Sequence, residues 1–421
     1  MPNKLSRRQL LKALLAVAGG ASLRQLVGGL PPATQAQTMD NFVYLPIILK
    51  DGSSTPPATP TPPPGSARVV HAYNAGATNW NYGSSYYGDY VSQSTVTAMV
   101  NSGVKTLTGT STVAEAWQTL LSRVSAYSSG KRIAIKVNFN NSGSGGCTIS
   151  NYVLDALYHP INAIISGLQS AGVSLDDIWV FDAIRPLPAR FINGITNKTQ
   201  INLLGSVSGS CGGVSVQTDA WNSSDASAIV DFTAAGLSNQ RVPNVLVNAT
   251  YVINVPILRG HAITGMTLGF KNHMGCIKKP LILHDPYGYI RQTGVEAYPN
   301  SHPLLDLYKN QNIAGKTILT VGDGLFGHPT ANNEKPIPWT ATFKAILGTN
   351  APNSLFFAAD PVAIDCVMSD FIKAEASWRV PDWAVHYLEL AAAAGLGTFE
   401  QGNPWATPIG SGYSQIEYMR I

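Results

Sequence analysis

No two cysteines of this chain lie close together in sequence. Cys147, Cys211, Cys276 and Cys366 stand far apart and no C-x-x-C pair occurs, so local cysteines supply neither an iron–sulfur cluster nor a zinc ribbon. Charge is scarce as well: 12% of the 421 residues are Asp, Glu, Lys or Arg, against 45% hydrophobic. That balance excludes a disordered or fibrous chain and suffices for one large core or two fused ones. The absence of a G-x-S-x-G elbow, a Walker sequence and H-E-x-x-H takes away the signatures of serine hydrolases, P-loop NTPases and zincins. Residues 1–36 contain no acid but hold Lys4, Arg7, Arg8, Lys12 and Arg24. Without them 23 basic side chains face 24 acidic ones, so the formal charge of +4 belongs to this leader. It gives no electrostatic case for a nucleic-acid partner.

The leader reads SRRQLLK from Ser6, then a mostly apolar run to Leu30, then small residues up to Ala36. A basic n-region, an apolar h-region and a cleavage site after Ala36 describe an export signal. Arg7-Arg8 followed by Leu10, Leu11 and Lys12 is the twin-arginine variety. The twin-arginine export machinery is therefore an expected partner, and the cell envelope or exterior the expected location. Gly19, Gly20 and Arg24 interrupt the apolar run, so no membrane span is expected in the mature chain, with an uncleaved anchor as the alternative. Residues 37–66 follow as an N-terminal segment and linker; the part from Asp51 to Ser66 has six prolines and no large apolar residue, hence an extended, semi-rigid tether. In an oxidising compartment Cys147 and Cys211, both in Gly/Ser-rich loops, are candidates for a disulfide.

Residues 67–421 read as one α/β body with a mixed, largely parallel sheet flanked by helices and interrupted by loop-rich insertions near 197–231 and 285–310. Strands are expected at 67–74, 132–140, 177–182, 243–256, 316–321 and 354–359. Helices are expected at 92–102, 113–128, 151–171 with a break at His159-Pro160, and 381–394. Strand 132–140, helix 151–171 and strand 177–182 make a β-α-β unit, which favours a parallel pair with a right-handed crossover. Asp360-Pro361 reads as N-cap and first-turn proline of a further helix. The aromatic run Trp80, Tyr82, Tyr86, Tyr87, Tyr90 fits core packing of a long loop better than a sugar or base platform. Arg185 and Arg190, just past the strand ending at Asp182, are placed where open α/β sheets bind ligands, though Asp182 could equally pair with Arg185.

Chemistry concentrates in residues 254–279, NVPILRGHAITGMTLGFKNHMGCIKK. This run begins as a strand and ends as a loop, with two histidines, one cysteine, four basic side chains and four glycines. A GDGLFGHP turn after the strand at 316–321 presents Asp323. His261, Lys271, Asp323 and Asp365 are the candidate catalytic groups, and Lys136, Asn138, Arg259, Asn272 and Lys278 the candidate ligand-binding ones. His261, His273 and Cys276 are candidate metal ligands, with Asp323 and His328 as further donors. A divalent metal must contend with Arg259, Lys271, Lys278 and Lys279 in the same stretch. Those cations suit a phosphate or carboxylate better, provided that Lys136 and Lys271 share a face.

IAIKVN around Lys136, NVPILRGHAITGMTLGFKNHMG, VGDGLFG and AADPVAIDCV together resemble the domain of unknown function family 362 (DUF 362), in the family's order and over most of residues 67–400. The resemblance implies a mixed α/β fold and little chemistry. Many relatives carry ferredoxin-type cysteine motifs and are described as iron–sulfur proteins. This chain departs from that pattern, so no cluster is carried over and the cofactor stays unknown. The family's polar signature falls on Lys136, Asn138, His261, Lys271, Asn272, Asp323, Asp360 and Asp365. Three readings follow: an enzyme acting on an anionic small molecule, a metal-dependent or redox protein loaded before export, and a non-catalytic envelope binding protein.

Overall fold

The computed structural model describes residues 67–139, 146–148, 152–261, 264–284, 302–328, 334–375 and 382–421. The export leader and the proline-rich tether lie outside these residues, as does residues 285–301 of the second expected insertion. In chain order the strands are β1 (Arg68–Tyr73), β2 (Ile133–Lys136), β3 (Ile178–Phe181), β4 (Asn202–Leu204), β5 (Gly209–Cys211), β6 (Val214–Val216) and β7 (Ile229–Val230). They continue with β8 (Gln240–Arg241), β9 (Tyr251–Asn254), β10 (Ile257–His261), β11 (Gly265–Met266), β12 (Thr317–His328), β13 (Ser354–Ala358) and β14 (Glu417–Arg420).

The main sheet runs β14-β1-β13-β12-β9-β2-β3-β4, and β10 carries on beside β12 past the end of β9. From β12 to β4 every pairing is parallel, whereas β13 is antiparallel to both its neighbours. The sheet is thus mixed and largely parallel, with helices on both faces. Ile133, Ile135 and Val137 point into one core, shared with helices Gln93–Thr108, Val113–Ser122 and Tyr158–Ser170. Ala134 points into the other, shared with Pro303–Tyr308, Pro361–Ala374 and His386–Ala393. Burial on both faces explains why these strands read as near-continuous apolar runs. Local chemistry fixes the helix starts: Thr112 and Glu115 form a reciprocal capping box, and the Asp360 carboxylate accepts from Val362 and Ala363 N–H at 2.9 Å each. Trp80, Tyr86 and Tyr87 are buried, so the aromatic run packs the core.

Several expectations need correction. His159-Pro160 does not break a helix, because the helix begins only at Tyr158; the proline sits in the first turn, where its missing N–H costs nothing. Residues 243–256 are not one strand: Asn244–Asn248 is helical and the strand starts at Tyr251. The GDGLFGHP segment is not a turn either, since β12 runs straight through it. Its glycines serve packing. A Cβ at Gly322 would lie 2.5 Å from Met368 Sδ, and one at Gly327 would lie 2.4 Å from Trp339 Cζ2.

Cys147 and Cys211 form a disulfide that closes a 64-residue separation. Among the described residues, no helix is long and apolar enough to cross a membrane. Loop-closure entropy for a ring of that size is worth about 4 kcal/mol. Denaturant unfolding with and without a reductant should show a loss of that order on reduction; an unchanged midpoint would mean that the bond constrains little.

Candidate functional site

The carboxyl ends of β2, β9 and β3 lie in register, with Lys136 beside Asn254 on one side and Phe181 on the other. Asp182, one residue beyond β3, therefore falls next to Lys136, whose Nζ donates to Asp182 Oδ2 at 3.2 Å and to the Val137 carbonyl. Both side chains are almost fully buried. The same carboxylate accepts from Phe139 N–H and Ile184 N–H, each at 3.2 Å, so the pair also fixes the two loops that leave the sheet here. A buried ion pair of this kind is kept by the full set of bonds around it. Asp182 pairs with Lys136 across the strands, a partnership the sequence reading did not weigh.

Opposite this edge, residues 264–284 fold back over the strand ends. The run expected to be a loop contains two short helical turns, Gly269–Asn272 and His273–Cys276. Two glycines let them approach: a Cβ at Gly275 would lie 2.8 Å from Lys136 Nζ, and one at Gly269 would lie 2.7 Å from Asp365 Oδ1. Ahead of the first turn, buried Leu268 takes φ 49° and ψ −164°, a conformation that costs about 1–3 kcal/mol in a residue with a side chain. Asp365 holds the turn in place, since Oδ1 accepts from Gly269 N–H at 2.7 Å and Oδ2 from Phe270 N–H at 3.0 Å. Asn254 supports it from the sheet, donating to the Gly269 carbonyl at 3.0 Å and accepting from Asn272 Nδ2 at 2.8 Å.

Between the two walls is an open cleft, lined among others by Lys136, Asn138, Asp182, Arg185, Thr267, Lys271, Asn272 and His284. Lys136 and Lys271 thus share one site, as an anion pocket requires. Lys271 makes no ion pair among the described residues; burial, with the Arg259 charge adding to it, pulls its ammonium down to about 7. Arg259 lies directly behind Thr267, to which Nε donates at 3.2 Å. It is fully buried, and among the described residues neither Nη1 nor Nη2 has a hydrogen-bond partner. Burial lowers its pKa only to about 10, so it stays a cation. Asp155, the acid whose field it feels, is bound by Arg190 Nη2 at 3.2 Å. His261 closes β10 with Nδ1 accepting from Thr264 N–H at 3.2 Å, and its ring stacks on His284 at 5.5 Å. Burial first, then the charges of Lys271 and Arg259, keep that imidazole neutral.

Other candidates lie elsewhere. Asp323 shares the face of Val321 and Leu325, the first core, whereas Lys136 shares the face of Ala134, the second. Its carboxylate accepts from Leu325 N–H at 3.0 Å and from the Leu157 backbone, and burial pushes it up to about 7. Asp365 does not line the cleft, being engaged by the turn. Lys278 is exposed and borders a separate depression with Trp221 and Arg241. Among the described residues no group of three or more His, Cys, Asp or Glu side chains is placed to hold a metal ion, so His261, His273 and Cys276 do not form a shell. His273 is buried edge-on to Tyr308, and burial with the nearby Lys136 charge lowers it to about 3; burial pushes the Cys276 thiol up to about 12. Of the partners missed from sequence, Asp182, Asn254 and Thr267, the first two had one available signal: parallel strands in register bring their carboxyl-terminal neighbours together.

Replacing Asp365 by Ala leaves two buried N–H groups without acceptors, at about 1–3 kcal/mol each. Urea unfolding should show a loss of about 2–6 kcal/mol. Burial holds the Asp365 carboxyl up at about 7, above its unfolded value of about 3.9, so this group's contribution to stability is present at low pH and falls as pH rises through that window. Asp365→Asn should accordingly show a larger deficit at about pH 5 than at about pH 8; an equal deficit at both would mean that the carboxylate is ionised throughout.

Comparison with known proteins yields no matching curated protein and no matching solved structure. A family model described as a domain of unknown function (DUF362) matches residues 133–370, more than half of the chain and a span that holds both walls of the cleft. The chain belongs to that family.

Proposed function

We propose that this chain binds and acts on an anionic small molecule in the cleft at the carboxyl edge of its parallel sheet. The observation that carries this reading is the pair of buried cations, Arg259 and Lys271, with no carboxylate bonded to either among the described residues. An unpaired buried charge costs several kcal/mol, and an entering oxyanion offsets that cost. The Arg259 fork suits the paired oxygens of a carboxylate or phosphate. Lys136 contributes less free charge, because Asp182 already neutralises it. The substrate's own charge is thus expected to meet Lys271 first, with the Arg259 charge acting from behind Thr267.

The same reading places the mature protein outside the cytoplasmic membrane, delivered by the twin-arginine route. The Arg7-Arg8 leader supports it, as does a disulfide between Cys147 and Cys211, which persists in oxidising compartments.

Phosphate, oxalate and citrate are simple probes of the cleft. At a concentration of about 100 times Kd an anion that binds only the folded chain adds about 2.7 kcal/mol of stability, so thermal melts should shift upward. Arg259→Met and Lys271→Met should each abolish the shift, while Lys278→Ala, outside the cleft lining, should leave it intact. A shift that survives both cleft substitutions would assign the binding elsewhere. For the route, changing Arg7 and Arg8 together to Lys should keep the full-length precursor in the cytoplasm, as read by cell fractionation; unimpaired export would point to a different pathway.

A further inference from the structure

Resting on the anion-site reading above, we propose that the molecule taken by this cleft is amphiphilic: an anionic head carrying a short alkyl or acyl chain, which lies along an apolar strip leading to the cleft mouth. Four apolar side chains line the cleft beside its polar groups, Ile184, Met274, Pro280 and Leu281. They come from both walls. The Ile184 N–H donates to Asp182 Oδ1 at 3.2 Å, which fixes that residue beside the Lys136–Asp182 pair. Met274 precedes Gly275, whose missing Cβ lets the turn sit against Lys136 Nζ. Pro280 and Leu281 follow in the next helical turn, Pro280–His284.

Depth orders these side chains against the usual rule of apolar inside and polar outside. Lys136, Asp182, Thr267, Lys271 and Asn272 are each at most 7% exposed, so the polar groups form the floor. Met274 is buried beside them, Ile184 and Pro280 are half-buried, and Leu281 is 71% exposed. A lone exposed leucine on a surface needs no explanation. This one ends a strip that starts at a buried ion pair and reaches solvent, with half-buried Arg185 and His284 as the polar groups near the same mouth. A bare inorganic anion would reach the floor and leave the strip wet. A chain attached to the head would take the strip out of water, and binding would gain with every methylene laid on it. Met274, unbranched and polarizable, adapts to the shape of such a chain. Few placed polar groups beside an apolar wall are the usual make-up of a small-molecule site. Four side chains span a chain of several carbons, which sets the class as short-chain alkyl phosphates or carboxylates.

The test is calorimetric titration of the protein with methyl, butyl and hexyl phosphate. Affinity should rise about two- to four-fold per methylene, the upper value being that of a fully buried CH₂ group. The heat-capacity change on binding should grow more negative along the series. Leu281→Asn should cut the butyl-to-methyl affinity ratio at least about three-fold, whereas Leu281→Met should keep it. Lys271→Met should weaken methyl and butyl phosphate by the same factor. Equal affinities along the series overturn the apolar strip, and leave the anion reading standing if methyl phosphate still binds in a Lys271-dependent way. A rise that neither Leu281→Asn nor Lys271→Met alters is adsorption elsewhere and overturns the proposal. A bilayer presents the same head and chain, so sedimentation with vesicles of phosphatidylcholine and phosphatidic acid separates the two sources. Protein left in the supernatant supports a free ligand, whereas Leu281-dependent binding to the vesicles overturns it in favour of a membrane lipid.

Discussion

The site depends on one carboxylate that faces away from it. Asp365, on the helix behind the second core, takes the N–H groups of Gly269 and Phe270, and so sets where residues 268–272 run over the sheet edge. Without those two bonds only Asn254 would tie the turn to the sheet, and the unfavourable backbone of Leu268, three residues before Lys271, would be free to relax. A charged-type side chain buried for this purpose looks catalytic in a sequence, since Asp is seldom buried without a task. In the structure its two oxygens are bonded to the backbone of the turn.

How far the sequence could be read depended on the kind of force involved. Periodicity revealed the α/β alternation, because strands buried on both faces and helices with one apolar stripe leave long, regular patterns. Asp360 was readable as a cap, since capping is a local event between a side chain and the next two or three N–H groups. The glycines of β12 misled because glycine marks both turns and crowded packing, and only Met368 and Trp339, contributed from elsewhere in the chain, tell the two apart. Lys136 and Lys271 share the cleft as supposed. Asp323 does not, because strand alternation turns it to the opposite face from Lys136, and the register of β12 was not deducible from its own residues.

The cations of residues 254–279 likewise sort by depth. Arg259 and Lys271 are buried at the sheet edge, while Lys278 lies on the surface with a different set of neighbours. Composition counts them as equals. Desolvation separates them, because a cation in water is already satisfied whereas a buried one without a counter-charge raises the free energy of the empty site. On the anion reading proposed above, an entering anion would offset the cost of holding these two buried cations.

The disulfide between Cys147 and Cys211 links the segment that follows β2 and its Lys136 to the first strand of the small hairpin after β4. On the export route proposed above, a passenger that folds before it crosses the membrane would assemble its main sheet and cleft walls while both thiols are still reduced, and the bond would close on a framework already in place. The same fold would then exist in two forms, an unsealed precursor and a sealed product, differing by two hydrogen atoms.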